Sequence, residues 1–324
     1  MDVYCSVLGG YPRNRRIRHL VRDFEEGRVS SVEFNSVLGE EAVFLVGVQR
    51  GLGCKYVVDG MLEWHDIFRP FVESWRGVYP SGLLRYFDNN FFYRIPVFHD
   101  APEPFRTVVS PRYQLVKEHL GPALFKAVIP GPVSFLSLSK NETGKDDVWL
   151  ATKIAEALNR ELTVLGDSVV IQVDEPALTD SELYSRVKGS VGDIYSALLE
   201  KVNAPVHVSV YFGCILEDAY KELLDVRGLD MVNLDVVDCK RASGIVKEYG
   251  IVGRKLGLGV IEARDIYKDS FDRVRELVNS FVDNVDVEAV HLTTSTWLDL
   301  IPFDYAVEKT RLLSEYSSRI KEVM

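Results

Sequence analysis

The segment Ile171-Gln172-Val173-Asp174-Glu175-Pro176 closes an apolar run with an amide and two adjacent carboxyl groups, residue types that can hold a ligand or move a proton. Gln172 and Asp174 lie two residues apart on a predicted strand, so their side chains leave the same face. An ionised Asp174 would grip the ammonium group of an amino acid through charge-assisted hydrogen bonds. Polar groups close other apolar runs in the same manner: Trp64-His65-Asp66, then His207 and Ser209 before Tyr211-Phe212-Gly213, then Glu262 with Arg264, then Thr293 to Thr296. The candidate substrate-binding set is Asp174, Gln172, Glu175, His207, Glu262, Trp64 and Asp66. Arg13, Arg15, Arg16 and Arg18, after Gly9-Gly10-Tyr11-Pro12, suit capture of an anionic tail. Plainer roles stand beside these: carboxylates capping a helix, arginines on a solvated helix face, His207 as a hydrogen-bonding strand residue.

The elements that must position these groups are eight short, β-branched runs: Val3 to Leu8, Tyr56 to Val58, Lys126 to Ile129, Val169 to Asp174, Val206 to Tyr211, Met231 to Val236, Lys255 to Val260 and Ala289 to Leu292. Several are continuously apolar, as parallel strands covered on both faces are. Amphipathic stretches lie between them, at Arg15 to Glu26, Val32 to Arg50, Asp146 to Leu165, Ile194 to Val202, Ser243 to Tyr249, Ser270 to Val282 and Asp304 to Arg319. Alternation of this kind predicts an α/β fold, a single (βα)8 TIM barrel, with its chemistry at the carboxyl ends of the strands. The long gap between the second and third strands holds Leu84 to Tyr86 and Phe91 to Val97 around Asp88-Asn89-Asn90, which predicts a β-hairpin excursion. No fixed-period repeat or Pro/Gly/Ser linker divides the chain, so residues 1–324 are expected to form one domain.

The chain's 324 residues are 47% hydrophobic, enough for a large core. Its 48 acidic and 38 basic side chains give a net charge of −10, which repels a phosphate backbone and argues against nucleic acid as a partner. No run approaches the roughly 18 apolar residues of a membrane span. The opening apolar run is too short for a signal peptide and leads into arginines, so a cytoplasmic location is expected. Cys5, Cys54, Cys214 and Cys239 lie far apart with no CxxC spacing, and reduced thiols are expected.

Three segments carry a family resemblance. Gly10-Tyr11-Pro12-Arg13 with the arginines after it resembles the opening of the cobalamin-independent methionine synthases, and Gly131-Pro132-Val133-Ser134 resembles a turn of that family. Ile171 to Leu178, IQVDEPAL, is similar to its signature. Weaker echoes are Tyr211-Phe212-Gly213, Leu258 to Arg264 and Ser295 to Pro302. The family enzyme is a double barrel, and this chain has the length of one barrel.

The resemblance implies methyl transfer from a methyl-tetrahydropterin to homocysteine, giving methionine, with zinc holding the thiol. Zinc suits that task because a free thiol, with a pKa of about 8.5, is mostly protonated at neutral pH. The family's catalytic barrel carries His-x-Cys on strand five, a Glu after strand six and a Cys after strand eight. The matching positions here read His207-Val208-Ser209, Asp235, and Ser295 with Thr296, so both sulfur ligands are replaced by hydroxyls. Met61 stands where the catalytic barrel has a Glu, and Trp64-His65-Asp66 is closer to the amino-terminal, zinc-free barrel. The chain is therefore identified as a member resembling that half. No metal or cofactor is expected in this chain. Zinc would sit only on a second, methionine-synthase-like barrel, a possible partner beside the small-molecule substrate, and the arginines would read a polyglutamate tail. Two other readings stay open: a non-catalytic pterin-binding or scaffold subunit, and an unrelated barrel lyase using Asp174, Glu175 and Glu262 as acid and base.

Overall fold

The computed structural model describes residues 1–283 and 285–324. Eleven strands are present among them: β1 (Asp2–Ser6), β2 (Tyr56–Val57), β3 (Trp75–Arg85), β4 (Phe92–Pro104), β5 (Leu124–Pro130), β6 (Lys140–Asn141), β7 (Val169–Asp174), β8 (Val206–Val210), β9 (Met231–Asp235), β10 (Lys255–Ile261) and β11 (Ala289–Thr294). Eight of them form one parallel sheet in the order β1-β11-β10-β9-β8-β7-β5-β2. The two ends of this sheet meet, where the backbone N–H of Lys55 donates to the Cys5 carbonyl at 3.1 Å and that of Tyr11 to the Gly60 carbonyl at 3.0 Å. The result is the expected α/β TIM barrel with one seam bridged by single hydrogen bonds instead of a ladder. β7, β8, β9 and β11 are buried at every position, which is why they are rich in apolar residues, with only two or three polar side chains each.

All eight predicted barrel strands are present, with no end shifted by more than two residues. β1 ends at Ser6 because Leu8 has already turned out of the ladder, its N–H donating to the Thr294 hydroxyl at 3.0 Å. The outer helices carry their own start signals. Asn14 caps Arg15–Glu25 by accepting from the Ile17 N–H, and Asp146 caps Asp147–Leu165 by accepting from that of Trp149. The predicted helix at Ile194 to Val202 occupies Val191–Leu198 instead, and among the unpredicted helices the two longest cover Val109–Val116 and Glu217–Leu224.

The hairpin excursion exists and is much longer than its sequence signal. β3 and β4 pair antiparallel from Trp75↔Pro104 to Arg85↔Phe92, with irregularities at Arg76/Val78 and Pro80/Leu83, and β6 adds a short third strand. Gly77, at φ +83°, crosses so close to β4 that a Cβ there would lie 2.4 Å from the Ala101 carbonyl oxygen. The hairpin's tip returns to the barrel, where Tyr86 and Phe87 pack against Phe212.

One cysteine expectation is corrected. Cys214 and Cys239 form a disulfide between the loops after β8 and β9, which folding brings together across a sequence separation of 25. Cys5 and Cys54 stay free and buried, with their sulfurs 3.7 Å apart.

Candidate functional site

At the carboxyl end of the barrel, Asp174 organises a buried polar cluster. One carboxyl oxygen accepts from the Gln172 amide at 2.7 Å, and the other accepts from the Tyr211 hydroxyl at 3.0 Å and the Trp297 indole N–H at 2.8 Å. Gln172 also donates to the Leu8 carbonyl at 2.6 Å, so it locks β7 to the segment after β1 across the barrel. Burial pushes the Asp174 carboxyl up to about 7, against the pull of its three donors and of Lys126. Lys126, donating to Ser6 and the Val7 carbonyl, is pushed down to about 7 by its own burial. Asp174 is only 1% exposed, so it stands behind the mouth and acts on it through Tyr211 and Trp297.

Trp297 lies across Gly9 and Gly10, where a Cβ would come within 2.1 Å and 2.8 Å of the indole. This is the physical reason for the glycine pair that precedes Tyr11-Pro12-Arg13. Gly9→Ala should drive Trp297 from its seat and break its bond to Asp174. Overpacking of this kind costs about 1–3 kcal/mol, so the variant should melt earlier and lose near-ultraviolet tryptophan dichroism. An unchanged spectrum and melting curve would refute the seat.

Two joined compartments open above this floor. The inner one is walled by aromatic rings, among them Tyr86, Phe91, Tyr93, Tyr211, Phe212 and Trp297. The outer one, of about 690 Å³, runs past Trp64, Asp66 and Arg13 to Arg15 and Arg18. Phe91, Asp66, Trp297, Asp299 and Leu300 line both. Asp299 is a site residue that sequence reasoning misses; its one signal is its place inside the weak Ser295 to Pro302 echo. Burial raises its carboxyl to about 7, and its own backbone N–H and the nearby Arg13 pull it back only in part, so near neutral pH it can either give or accept a hydrogen bond.

The predicted residues divide sharply. Trp64 and Asp66 line the cavity. Trp64 is backed by the Arg112 guanidinium 5.4 Å from its ring, itself paired with buried Asp59 at 2.5 Å. Asp66 also accepts from the Phe68 and Arg69 N–H groups at 2.9 and 2.8 Å, capping the short turn Arg69–Val72. Arg13 braces the loop after β2 through the Leu62 and Trp64 carbonyls, both at 2.6 Å. Arg16 turns away and pairs with Glu40 on the surface at 2.6 Å. Arg15 and Arg18 are exposed on the cavity's rim, and their guanidinium groups have no hydrogen-bond or ion-pair partner among the described residues.

Three candidates lie elsewhere. Glu175 is fully buried between β7 and the turn Pro132–Ser137, accepting from the Val133 and Ser134 N–H groups at 3.0 and 2.7 Å and from the Tyr195 hydroxyl at 3.2 Å. It caps that helix, not the one following it in sequence. His207 is the second residue of β8, deep in the barrel, with its ring against Tyr56 and His291 at 5.5 and 5.6 Å. Burial, reinforced by His291 and three lysines, holds it well below the usual histidine range and therefore neutral. Glu262 accepts from Arg264 and from Ser295 at 3.2 Å, inside an ion network that Asp238 completes.

The zinc positions implied by the resemblance do not fit the metal. Ser209 offers a neutral hydroxyl, Asp235 stands without a ligating neighbour, and Cys214 and Cys239 are bonded to each other. Among the described residues no three His, Cys, Asp or Glu side chains come together in a metal-holding arrangement. The Ser209 hydroxyl, the Asn233 amide nitrogen and one Asp235 oxygen are buried without a hydrogen-bond partner.

Comparison with known proteins decides what this barrel is. Residues 74–286 match the family model described as the N-terminal domain of cobalamin-independent synthase. The chain belongs to that family. A protein named methionine synthase from Sulfurisphaera tokodaii is 24% identical over 94% of this chain and 88% of its own length. A 5-methyltetrahydropteroyltriglutamate–homocysteine methyltransferase from Neisseria meningitidis serogroup C is 30% identical over 70% of this chain, a match spanning 29% of that longer protein. The solved structure of a B12-independent methionine synthase from Shewanella, in complex with selenomethionine, superposes with a TM-score of 0.82 at 15% identity, covering 100% of this chain and 99% of that one. The family's barrel fold thus extends over the whole of this chain. No helix among the described residues is long and apolar enough to cross a membrane.

Proposed function

We propose that residues 1–324 act as one barrel domain of a methionine-synthase-type methyltransferase, binding a methyl-tetrahydropterin for methyl transfer to homocysteine. The observation that carries this reading is the joined cavity, in which an aromatic compartment leads past the Asp299 carboxyl to the unpaired Arg15 and Arg18 side chains. A flat, nitrogen-rich ring with an anionic tail matches that order of surfaces: rings to stack on, an acceptor for its N–H groups, and cations at the far end. Tyr211 and Trp297, both fixed by Asp174, set the compartment's width, and Trp64 and Asp66 line the passage outward. Zinc, where the family uses it, makes a thiol into a nucleophilic thiolate. Since this chain's residues do not fit that metal, the homocysteine thiol would be held by a second, zinc-bearing barrel, in the cytoplasm.

The tail supplies the test. Exposed charges are screened within about 10 Å at 0.1 M ionic strength, so affinity for a methyl-tetrahydropterin should rise with added glutamates and fall with salt. The double variant Arg15→Ala, Arg18→Ala should erase that preference while leaving monoglutamate binding intact, and Arg16→Ala should change neither the preference nor monoglutamate binding. Equal titration curves for mono- and triglutamate forms would remove the tail site. Binding without turnover, even with a zinc-bearing partner barrel present, would leave the pterin-binding subunit as the function.

A further inference from the structure

The loop after β8 carries Tyr211-Phe212-Gly213-Cys214, and each part of it touches the mouth. Tyr211 holds Asp174, and Phe212 walls the aromatic compartment with its ring 5.6 Å from Phe87 and 5.9 Å from Tyr86. Phe212 has φ +68° and Gly213 φ +149°, so the backbone here is unusual and must be held by its surroundings. The nearest covalent restraint is the disulfide from Cys214, the very next residue, to Cys239. Next to Cys239, Asp238 accepts from Arg264 at 2.6 Å, and Arg264 in turn grips Glu262 at 2.8 Å. A single covalent bond therefore ties the loops after β8 and β9 together, and through an ion network it reaches the loop after β10.

The two sulfurs differ in access. Cys214 is half-buried, whereas Cys239 is only 3% exposed. We propose that the Cys214–Cys239 bridge is a thiol–disulfide exchange site, opened by a dithiol reductant and controlling the shape of the aromatic compartment. The reductant's first thiolate attacks the accessible Cys214 sulfur, the S–S bond breaks, and Cys239 leaves as a thiolate, which is then protonated. The reductant's second thiol then displaces Cys214 from the mixed disulfide. Two electrons and two protons pass to the protein, leaving two thiols, and the reductant departs as its own disulfide. Once released, the loop no longer holds Phe212 in a left-handed backbone conformation, and the compartment loses one wall.

The test needs no pterin and so stands apart from the function proposed above. Treating the native protein with dithiothreitol and then N-ethylmaleimide should add two labels, both mapping to Cys214 and Cys239. The buried pair Cys5 and Cys54 should stay unlabelled until the protein is unfolded. Amide exchange at 211–215 and 236–240 should quicken by about tenfold or more on reduction, the signature of a local opening, while β1 and β11 stay protected. Cys214→Ser should show the same fast exchange without reductant, and Cys5→Ser should not. If Cys214→Ser fails to fold, reduction of the unaltered protein decides. A bridge that resists dithiothreitol until global unfolding, or that opens with no change in exchange, overturns the proposal.

Discussion

Asp174→Asn should lower the melting temperature by several degrees and weaken ligand binding in the same variant. Its two carboxyl oxygens accept from three donors: Gln172, Tyr211 and Trp297. An Asn side chain keeps the shape but turns one acceptor into an NH2 group, which must then face either Gln172 or the Tyr211 and Trp297 pair. Each buried donor left without a partner costs about 1–3 kcal/mol. Trp297 would also lose the bond that fixes it over Gly9, so the aromatic compartment loosens. The sequence alone suggests a rim carboxylate whose loss spares stability. Burial of the group, at 1% exposure, reverses that expectation. Affinity should still fall, through the displaced indole and phenol and not through a lost contact with the ligand. A variant that melts with the unaltered protein yet binds weakly would restore the direct-contact role.

The same residue fixes the sign of a pH dependence. Its folded pKa of about 7 lies above the ordinary value of 3.8, so between these values the folded protein holds a proton that the unfolded chain has released. The stability this contributes is fully present below about pH 4 and lost as pH rises toward 7. Urea midpoints at pH 5 and pH 8 should therefore differ less in Asp174→Asn than in the unaltered protein. Lys126 runs the other way. Its folded pKa, pushed down to about 7, leaves the unfolded chain binding more protons between there and 10.5, so its contribution grows as pH rises through that window.

The barrel was legible because a strand buried on both faces is rich in apolar, β-branched residues, a pattern that survives without any knowledge of its neighbours. The hairpin was legible only at its turn. β3 is largely exposed and is broken by Gly77, Pro80 and Gly82, so its strand character comes from pairing with β4 and not from its own pattern. The helix Glu217–Leu224 is hidden for a related reason, being short and adding only Ala219, Tyr220 and Leu223 to the core.

Within the site, the arginines were half legible. Arg15 and Arg18 are three residues apart and share a helix face, whereas Arg16 is turned about 100° from Arg15 and could not join them. That distinction was available from spacing alone. Depth was not: His207 and Asp174 both belong to strand segments with polar residues, yet one lies deep among Tyr56 and His291 and the other two register positions higher, just behind the mouth, because only ladder register sets height in the barrel. Pairing at a distance was equally hidden. Neither the Cys214–Cys239 bridge nor the use of Glu175 on Pro132–Ser137 leaves a local trace, since each depends on loops from different strands meeting.

Glu175 carries the second large effect, and it separates structure from function at this signature. The helix Pro132–Ser137 begins at Gly131, which has no side chain with which to cap it. Glu175 supplies the missing acceptors from the end of β7, taking the Val133 and Ser134 N–H groups at 3.0 and 2.7 Å, with Tyr195 as a third donor at 3.2 Å. Gly131 is what lets it approach, since a Cβ there would lie 2.0 Å from the Glu175 carboxyl carbon. Burial raises the carboxyl to about 7, and the Ser134, Val133 and Tyr195 donors oppose that rise. Glu175→Ala leaves three buried donors unpaired beside a new void, at a cost of about 3–5 kcal/mol, comparable with breaking a buried ion pair. Against the roughly 5–15 kcal/mol that holds an ordinary domain folded, this is enough to make the variant poorly folded at physiological temperature. Glu175→Gln keeps the volume and one acceptor, so it should melt between the two. Well below its melting point, that Gln variant should bind ligand as the unaltered protein does, because Glu175 faces the packing behind β7 and not the cavity. Weakened binding by a fully folded Glu175→Gln would instead place this carboxyl among the ligand contacts.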